Sequence, residues 1–270
     1  MSELATATAS RAVEQKKNPT LRDLVQAQQP AIEAQLAGTI NSGAFVRAAL
    51  STISSSEQLM LADPKTVLGG IMLAAQLKLE IGPALGHFYL TPRKEKGKQI
   101  CLPIIGYKGY IELAYRSNRI EKIETFVVRE GDKFDHGANS ERGRFFDWNP
   151  ADYDETRAWT GVVGVAKIKG GGTIWAYLPK EKVLARRPHY WESTPWKTEE
   201  VQMARKTIIR EMSPYLPMST ELGRAIEADE QKVESIAGVH DLVVTRQDDD
   251  IVIPSPDLDP SHPDYVEATA

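Results

Sequence analysis

His87-Phe88-Tyr89-Leu90-Thr91-Pro92 and Gln99-Ile100-Cys101-Leu102-Pro103-Ile104-Ile105 are two β-prone runs separated by Arg93-Lys94-Glu95-Lys96-Gly97-Lys98. Two such runs around a polar, glycine-containing link predict a β-hairpin with a basic tip. The texture changes on either side. Upstream, Asp63-Pro64 supplies an N-cap acid and a proline at the first helical position, and Val67, Leu68, Ile71, Met72 and Ala75 follow at helical spacing until Gly82-Pro83. Downstream, residues 106–118 place Tyr107, Tyr110, Ile111 and Ala114 on one helical face.

Further out, residues 21–61 show helical spacing (Leu21, Leu24 and Val25, then Ile32 and Leu36, then Phe45, Ala48 and Ala49) and predict two or three short helices with a break at 38–43. Residues 120–129, 159–169 and 173–178 predict strands, the last two joined by Gly170-Gly171-Gly172, where positive φ angles cost little. A short helix is expected after Pro179. A longer one runs from about Thr194-Pro195 to Met212, with Val201, Ala204, Ile208 and Met212 inward and Pro214 and Pro217 closing it. Residues 219–228 predict one or two more helical turns. Strands that arrive as hairpins, not in alternation with helices, predict an α+β fold: an antiparallel sheet built from hairpins and flanked by helices. Residues 1–20 are expected to be a disordered leader, 21–228 the folded domain, and 229–270 an acidic, disordered tail without periodicity beyond Val233.

The net charge of -4 conceals a segregation. Residues 65–225 carry 26 basic and 19 acidic side chains, whereas residues 226–270 carry only Lys232 and Arg246 against 12 acids. A basic centre with an acidic end is a different object from a mildly acidic protein: the tail reads either as a solvated segment that aids solubility or as one that competes for a basic groove or recruits a partner, and in the second case deletion near residue 230 is expected to tighten DNA binding. No apolar run approaches the ~20 residues that span a bilayer, and the N-terminus lacks a secretory apolar stretch. The expected location is the cytoplasm. Cys101 is the sole cysteine and sits in an apolar run, so it reads as a small buried hydrophobe.

There is no Gly-x4-Gly-Lys-Ser/Thr run, no nucleophile elbow and no His-Glu-x-x-His, and no metal site or cofactor is expected. A nuclease would require Glu112, Glu130 and Asp132 to converge on a metal through folding. What remains is cations interleaved with aromatics. Lys108, Glu112 and Arg116 lie at i, i+4 and i+8 in the Tyr107-Lys108-Gly109-Tyr110 helix, either as a salt-bridge ladder or as phosphate contacts beside a base-stacking tyrosine. Arg93, Lys94, Lys96 and Lys98 cluster at the hairpin tip. Arg205, Lys206 and Arg210 form a third set, with Lys206 and Arg210 projecting together away from Val201 and Ile208. Arg186-Arg187, Trp191 and Trp196 precede that set, and the tryptophans read first as core anchors.

The segment Gly82-Pro83-Ala84-Leu85-Gly86-His87-Phe88-Tyr89-Leu90-Thr91-Pro92 resembles the Gly-x-Ala-Leu-Gly-x-x-Tyr-Leu-x-Pro segment of the RecT family. Ile104-Ile105-Gly106-Tyr107-Lys108-Gly109-Tyr110-Ile111-Glu112-Leu113-Ala114 is similar to that family's Ile-Ile-Gly-Tyr-(Arg/Lys)-Gly-x-Ile-(Asp/Glu)-Leu-Ala. Val127-Val128-Arg129-Glu130-Gly131-Asp132-Lys133-Phe134 resembles Val-Val-Arg-Glu-Gly-Asp-x-Phe. Arg205-Lys206-Thr207-Ile208-Ile209-Arg210 with Tyr215-Leu216-Pro217 resembles Lys-Lys-Thr-Ala-Ile-Arg with a downstream Tyr-Leu-Pro. The motifs run in order over residues 63–225.

The resemblance implies a phage-type recombinase, distantly related to the lambda Red beta annealing proteins. Such a protein binds single-stranded DNA, anneals complementary strands to duplex without ATP and performs no covalent chemistry. It further implies homo-oligomeric rings or helical filaments, a 5′–3′ exonuclease partner and a host single-strand-binding protein. Carried onto this chain, the expected DNA contacts are Tyr107, Lys108, Arg116, Arg129, Lys206 and Arg210; Arg93 and Lys94 join them from the hairpin reading. The expected groove lies between the helix at 106–118 and the late helix, and neutralising Lys108 or Lys206 is expected to lower the salt slope of binding by ~0.7 per lost contact. A non-annealing single-strand coating protein and a metal-dependent nuclease are the alternatives.

Overall fold

The computed structural model describes residues 19–141, 143–189, 191–217, 219–235 and 243–245. The first helices are short because each carries its own start and stop. Thr20 and Asp23 form a reciprocal capping box that opens α1 (Leu21–Ala27), and α2 (Gln29–Leu36) ends at Ala37 in the left-handed region, φ 48°. The Asn41 side chain accepts the Ala44 N–H at 2.8 Å and opens α3 (Ser42–Ser54), so Gly43, expected in the break, lies in a first helical turn. A single turn, α4 (Glu57–Met60), precedes α5 (Pro64–Leu77).

Asp63 caps α5 as the sequence reading requires, accepting the Lys65 N–H at 2.9 Å. α5 is the central helix, with Val67, Ile71, Ala74, Ala75 and Leu77 fully buried. It stops at Lys78, φ 52°, and not at Gly82-Pro83, because the left-handed turn there sends Leu79 and Ile81 into the core.

β1 (Phe88–Glu95) and β2 (Lys98–Ile105) form the expected hairpin, but the strands run further. The turn is only Lys96-Gly97, at φ 45° and 82°, the positive pair that a two-residue hairpin loop demands. Arg93 and Lys94 are therefore strand residues on opposite faces. Phe88, Leu90, Cys101 and Ile105 face the core. The free edge of β2 is satisfied from elsewhere: Cys101 N donates to Thr66 Oγ1, Ile105 N to the Asp229 carboxylate, while Gln99 O and Pro103 O accept from Asp63 N and Glu230 N.

After α6 (Tyr107–Tyr115) come β3 (Ile120–Arg129), β4 (Lys133–Asn139), β5 (Gly143–Asn149), β6 (Trp159–Ile168) and β7 (Thr173–Pro179). The strands form separate antiparallel sheets where the sequence reading expected one: β1-β2, β3-β6-β7 and β4-β5. The β4-β5 hairpin is new. Phe134, His136, Phe146 and Trp148 alternate on one of its faces and meet Phe126, Trp175 and Tyr177 on the outer side of β3-β6-β7, with ring centroids 4.6–5.1 Å apart. No long apolar run announces this hairpin.

α7 (Lys180–Leu184) leads to α8 (Glu200–Met212), which starts later than expected because residues 191–198 form short turns. α8 lies across the inner side of β3-β6-β7 at Gly164, where a Cβ would come within 2.4 Å of Met212 Sδ. α9 (Thr220–Ala228) and β8 (Lys232–Glu234) follow, and β8 pairs antiparallel with β9 (Val243–Thr245). Val233 is fully buried and its backbone runs against Gly69 of α5, where a Cβ would sit 2.2 Å from Val233 O. Residues 229–235 thus belong to the packed body, past the boundary expected at 228. Residues 1–18 of the expected leader, and 236–242 and 246–270 of the expected tail, lie outside the described residues.

Candidate nucleic-acid interface

The start of α6 is pressed against the loop at 82–87. A Cβ on Gly106 would meet Gly86 O at 2.1 Å, and one on Gly109 would meet His87 O at 2.4 Å, so only glycine permits this backbone approach. The contact gathers side chains from two of the sequence motifs. Tyr89 Oη and the Lys108 stem converge on Gly86, at 3.1 and 3.5 Å from where its Cβ would be. Lys108 is exposed and has no ion-pair partner among the described residues.

Arg205 reaches this place from α8. Its Nη1 donates to both Thr125 O and Thr125 Oγ1 at 2.8 Å, and its guanidinium lies 6.0 Å from the centre of the half-buried Tyr107 ring. Its Nε and Nη2 donate to nothing among the described residues. Further along β3, Arg129 Nη1 donates to Arg157 O at 2.6 Å. Arg205 and Arg129 line one cleft of about 180 Å³ with Phe126, Trp148 and the exposed Tyr153. Asp132, Asp152, Asp154 and Glu155 line it too. Arg157 compensates two of them, lying 3.0 Å from Asp132 and 2.8 Å from Asp152. Tyr107, Arg205 and Arg129 therefore follow one another from α6 across α8 to β3, with the exposed Lys108 next to Tyr107 in the chain, as one strip in which arginines and aromatics are interleaved with carboxylates. Arg205, not among the expected contacts, is central to it; its alternative hydrogen-bond partners on β3 are not visible in sequence.

Other expected contacts go elsewhere. Arg116 donates to the carbonyls of Leu77 and Lys78 and pairs with Glu112, closing the C-terminus of α5. Lys206 is a correction: only 3% of its side chain is exposed, and Nζ lies 2.7 Å from Asp229 and 2.6 Å from Glu230. It does not project with Arg210 into solvent, because the chain beyond α9 returns to cover it. Asp229 also accepts from Ile105 N and Tyr110 Oη at 2.8 Å each, and Arg210 Nη1 stands 3.5 Å away. Burial opposes the Lys206 charge, but Asp229 and Glu230 outweigh it and hold its pKa above the ordinary lysine value. Burial raises Asp229, against the pull of Lys206, and carries the Tyr110 hydroxyl well above its usual range.

Arg210 keeps 39% of its side chain exposed, on a separate cleft of about 410 Å³ shared with Arg186 and Trp196. Arg93 is half-buried on the hairpin within electrostatic reach of Glu230, and Lys94 is exposed. The expected groove between the two helices is thus only partly assembled: α6 and α8 meet through Tyr107 and Arg205, while Arg116, Lys206 and Arg210 point away from that junction.

The remaining singled-out residues have structural employment. Arg187 stacks on Trp191 and Trp196 at 4.6 and 5.5 Å and pairs with Glu200, which also accepts from Trp159 Nε1 at 2.7 Å. Asp132 accepts from Arg129 N, Trp148 Nε1, Ala151 N and Arg157. Burial alone would raise this carboxyl, and these bonds lower it to about 2. Glu112 is held by Arg116, and among the described residues no three His, Cys, Asp or Glu side chains are placed to share a metal ion. Cys101 is fully buried, which pushes its thiol up to about 12. No helix among the described residues is long and apolar enough to cross a membrane.

Fold and strip together define an α+β protein of capped helices and antiparallel hairpins whose candidate interface sets arginines and aromatics among carboxylates. The sequence profile of the RecT family matches residues 43–241, and the chain belongs to that family. It is similar to Protein RecT of Escherichia coli (strain K12), with 32% identity over 229 residues that cover 81% of this chain and 84% of that protein. It is also similar to the uncharacterized protein YqaK of Bacillus subtilis (strain 168), with 27% identity over 233 residues, 83% of this chain and 74% of that one.

Proposed function

We propose that this chain binds single-stranded DNA and anneals complementary strands without ATP, as a phage-type recombination protein acting in the bacterial cytoplasm. Membership of the RecT family carries this reading. The strip of Lys108, Tyr107, Arg205 and Arg129, with donors left over after their protein contacts, supports it. Such a strip holds a strand by its phosphates and releases counterions, so binding is strong at low salt and tolerant of sequence. The base edges stay free. Pairing then draws its energy from the DNA itself, roughly 1.4 kcal/mol per base-pair step, and the protein only arranges the strands.

Homo-oligomeric rings or filaments would align many strips along one strand and hold the annealed duplex. A 5′–3′ exonuclease would expose the strand, and a host single-strand-binding protein would be the competitor for it. Lys94 and Arg93 extend the surface along the hairpin, and Arg210 belongs to it only if DNA also crosses the second cleft.

Mixing complementary oligonucleotides with the protein, with and without ATP, tests the reading. Duplex should form faster than in buffer and equally fast without ATP. Slower duplex formation would indicate a coating protein, and Mg²⁺-dependent cleavage of the oligonucleotides a nuclease. Electron microscopy of the mixture reports the assembly.

A further inference from the structure

We infer that Tyr107 serves DNA binding through Arg205: the ring and Thr125 hold the guanidinium as a preformed phosphate site, and Tyr107 does not stack on a base. This rests on the single-strand DNA reading above, and it assigns the tyrosine a different part from the base platform that the sequence suggests.

The geometry is specific to a guanidinium. Arg205 Nη1 donates to Thr125 O and Oγ1, both at 2.8 Å, while its Cζ lies over the Tyr107 ring, 6.0 Å from the centroid. One end of the fork is therefore anchored on β3, and the Tyr107 ring of α6 flanks the charge. The Nε and Nη2 donors remain, with no partner among the described residues. A planar, permanently charged fork held in this way loses little rotamer freedom when it takes a phosphate. A lysine, the residue that the RecT motif shows at this position, would offer a point charge with nothing for Thr125 to align. The ring of Tyr107 is half-buried and packed against the core. With the Arg205 cation over it, a base approaching that face of the ring would meet the guanidinium. Arg129 lines the same cleft as Arg205, together with Arg157 and the carboxylates of Asp132, Asp152, Asp154 and Glu155, so the free end of the Arg205 fork is the donor set left for a phosphate there.

The test is a set of titrations of fluorescent oligo-dT with the full-length protein across a series of salt concentrations. Arg205→Gln should lower the slope of log K against log salt by ~0.7 and weaken binding roughly tenfold. Tyr107→Leu should lower the slope by a similar amount, since a loosened Arg205 no longer holds its phosphate. The double variant should lose little beyond either single one. Tyr107→Phe, which keeps the ring, should retain both slope and affinity. Thr125→Val, which removes one of the two anchors and leaves Tyr107 untouched, should give part of the same slope change.

Base stacking predicts the opposite pattern. Tyr107→Leu would weaken binding with an unchanged slope, and its effect would multiply with that of Arg205→Gln. That result overturns the positioning role while leaving DNA binding intact. A wild-type protein with no affinity for oligo-dT overturns the DNA reading itself.

Discussion

Arg205 and Lys206 are neighbours in sequence with opposite fates. One turns its charge toward β3 and an open cleft; the other buries it against Asp229 and Glu230. A buried cation of this kind is costly to orphan and costly to remove. Lys206→Ala should destabilise the protein by about 3–5 kcal/mol, because the buried Asp229 and the half-buried Glu230 lose their counter-charge. Urea unfolding measures it, and the salt slope of DNA binding by the folded fraction should stay as in the wild type. Because the folded-state pKa of Lys206 is raised, its contribution is fully present at neutral pH and fades only as pH rises through that higher value. Asp132 behaves in the reverse sense. Its carboxyl is lowered from 3.8 to about 2, so the stability it contributes is present above 3.8 and is lost as pH falls toward 2. Asp132→Asn should lower stability at neutral pH by about 1 kcal/mol, since solvent screens part of the interaction, and flatten the acid limb of a melting-temperature profile in that window.

At the scale of elements, the sequence was most readable where a cap or turn is local. Asp63-Pro64, Lys96-Gly97 and Gly170-Gly171-Gly172 each act within a few residues, and each forms what its chemistry requires. It was least readable where an element depends on a distant surface. The β4-β5 hairpin carries only alternate aromatics, and these become a packing face only against Phe126, Trp175 and Tyr177. The signal was present as Phe134-x-His136 and Phe146-x-Trp148, a period of two without an apolar run. Arg116 shows the same limit on a helix. Its i, i+4 relation to Lys108 through Glu112 suggested one charged face, yet its guanidinium closes the end of α5. Arg116→Ala should therefore lower stability by about 1–3 kcal/mol and increase hydrogen exchange at the last turn of α5. A salt slope that fell with it would place Arg116 back among the phosphate contacts.

For the whole molecule, the C-terminal charge matters in two parts. Residues 229–235 are a strap: Asp229 satisfies Lys206, Tyr110 and the backbone of Ile105, and Val233 seals α5. A chain ending at Ala228 should lose most of its stability, since those groups would be left buried without partners. A chain ending at Thr245 keeps the strap and β9 and removes seven acids against one arginine. It should bind single-stranded DNA more tightly at low salt, with the gain vanishing at high salt as screening removes the competition. Equal low-salt affinities for that chain and the full-length protein would end the idea of a competing tail.

The amino-acid sequence by itself determined the α+β class, the central hairpin, the capped helix before it and the family, because caps, turns and ordered motifs are written within short stretches of chain. It also showed the basic centre of the chain, with 26 basic against 19 acidic side chains over residues 65–225. Only tertiary structure decided which cations face solvent. Arg205 emerges because Thr125 and Tyr107 hold it, and Lys206 disappears because Asp229 folds back over it. The free energy of a charge depends on the dielectric and partners around it, and those are supplied by residues far away in sequence.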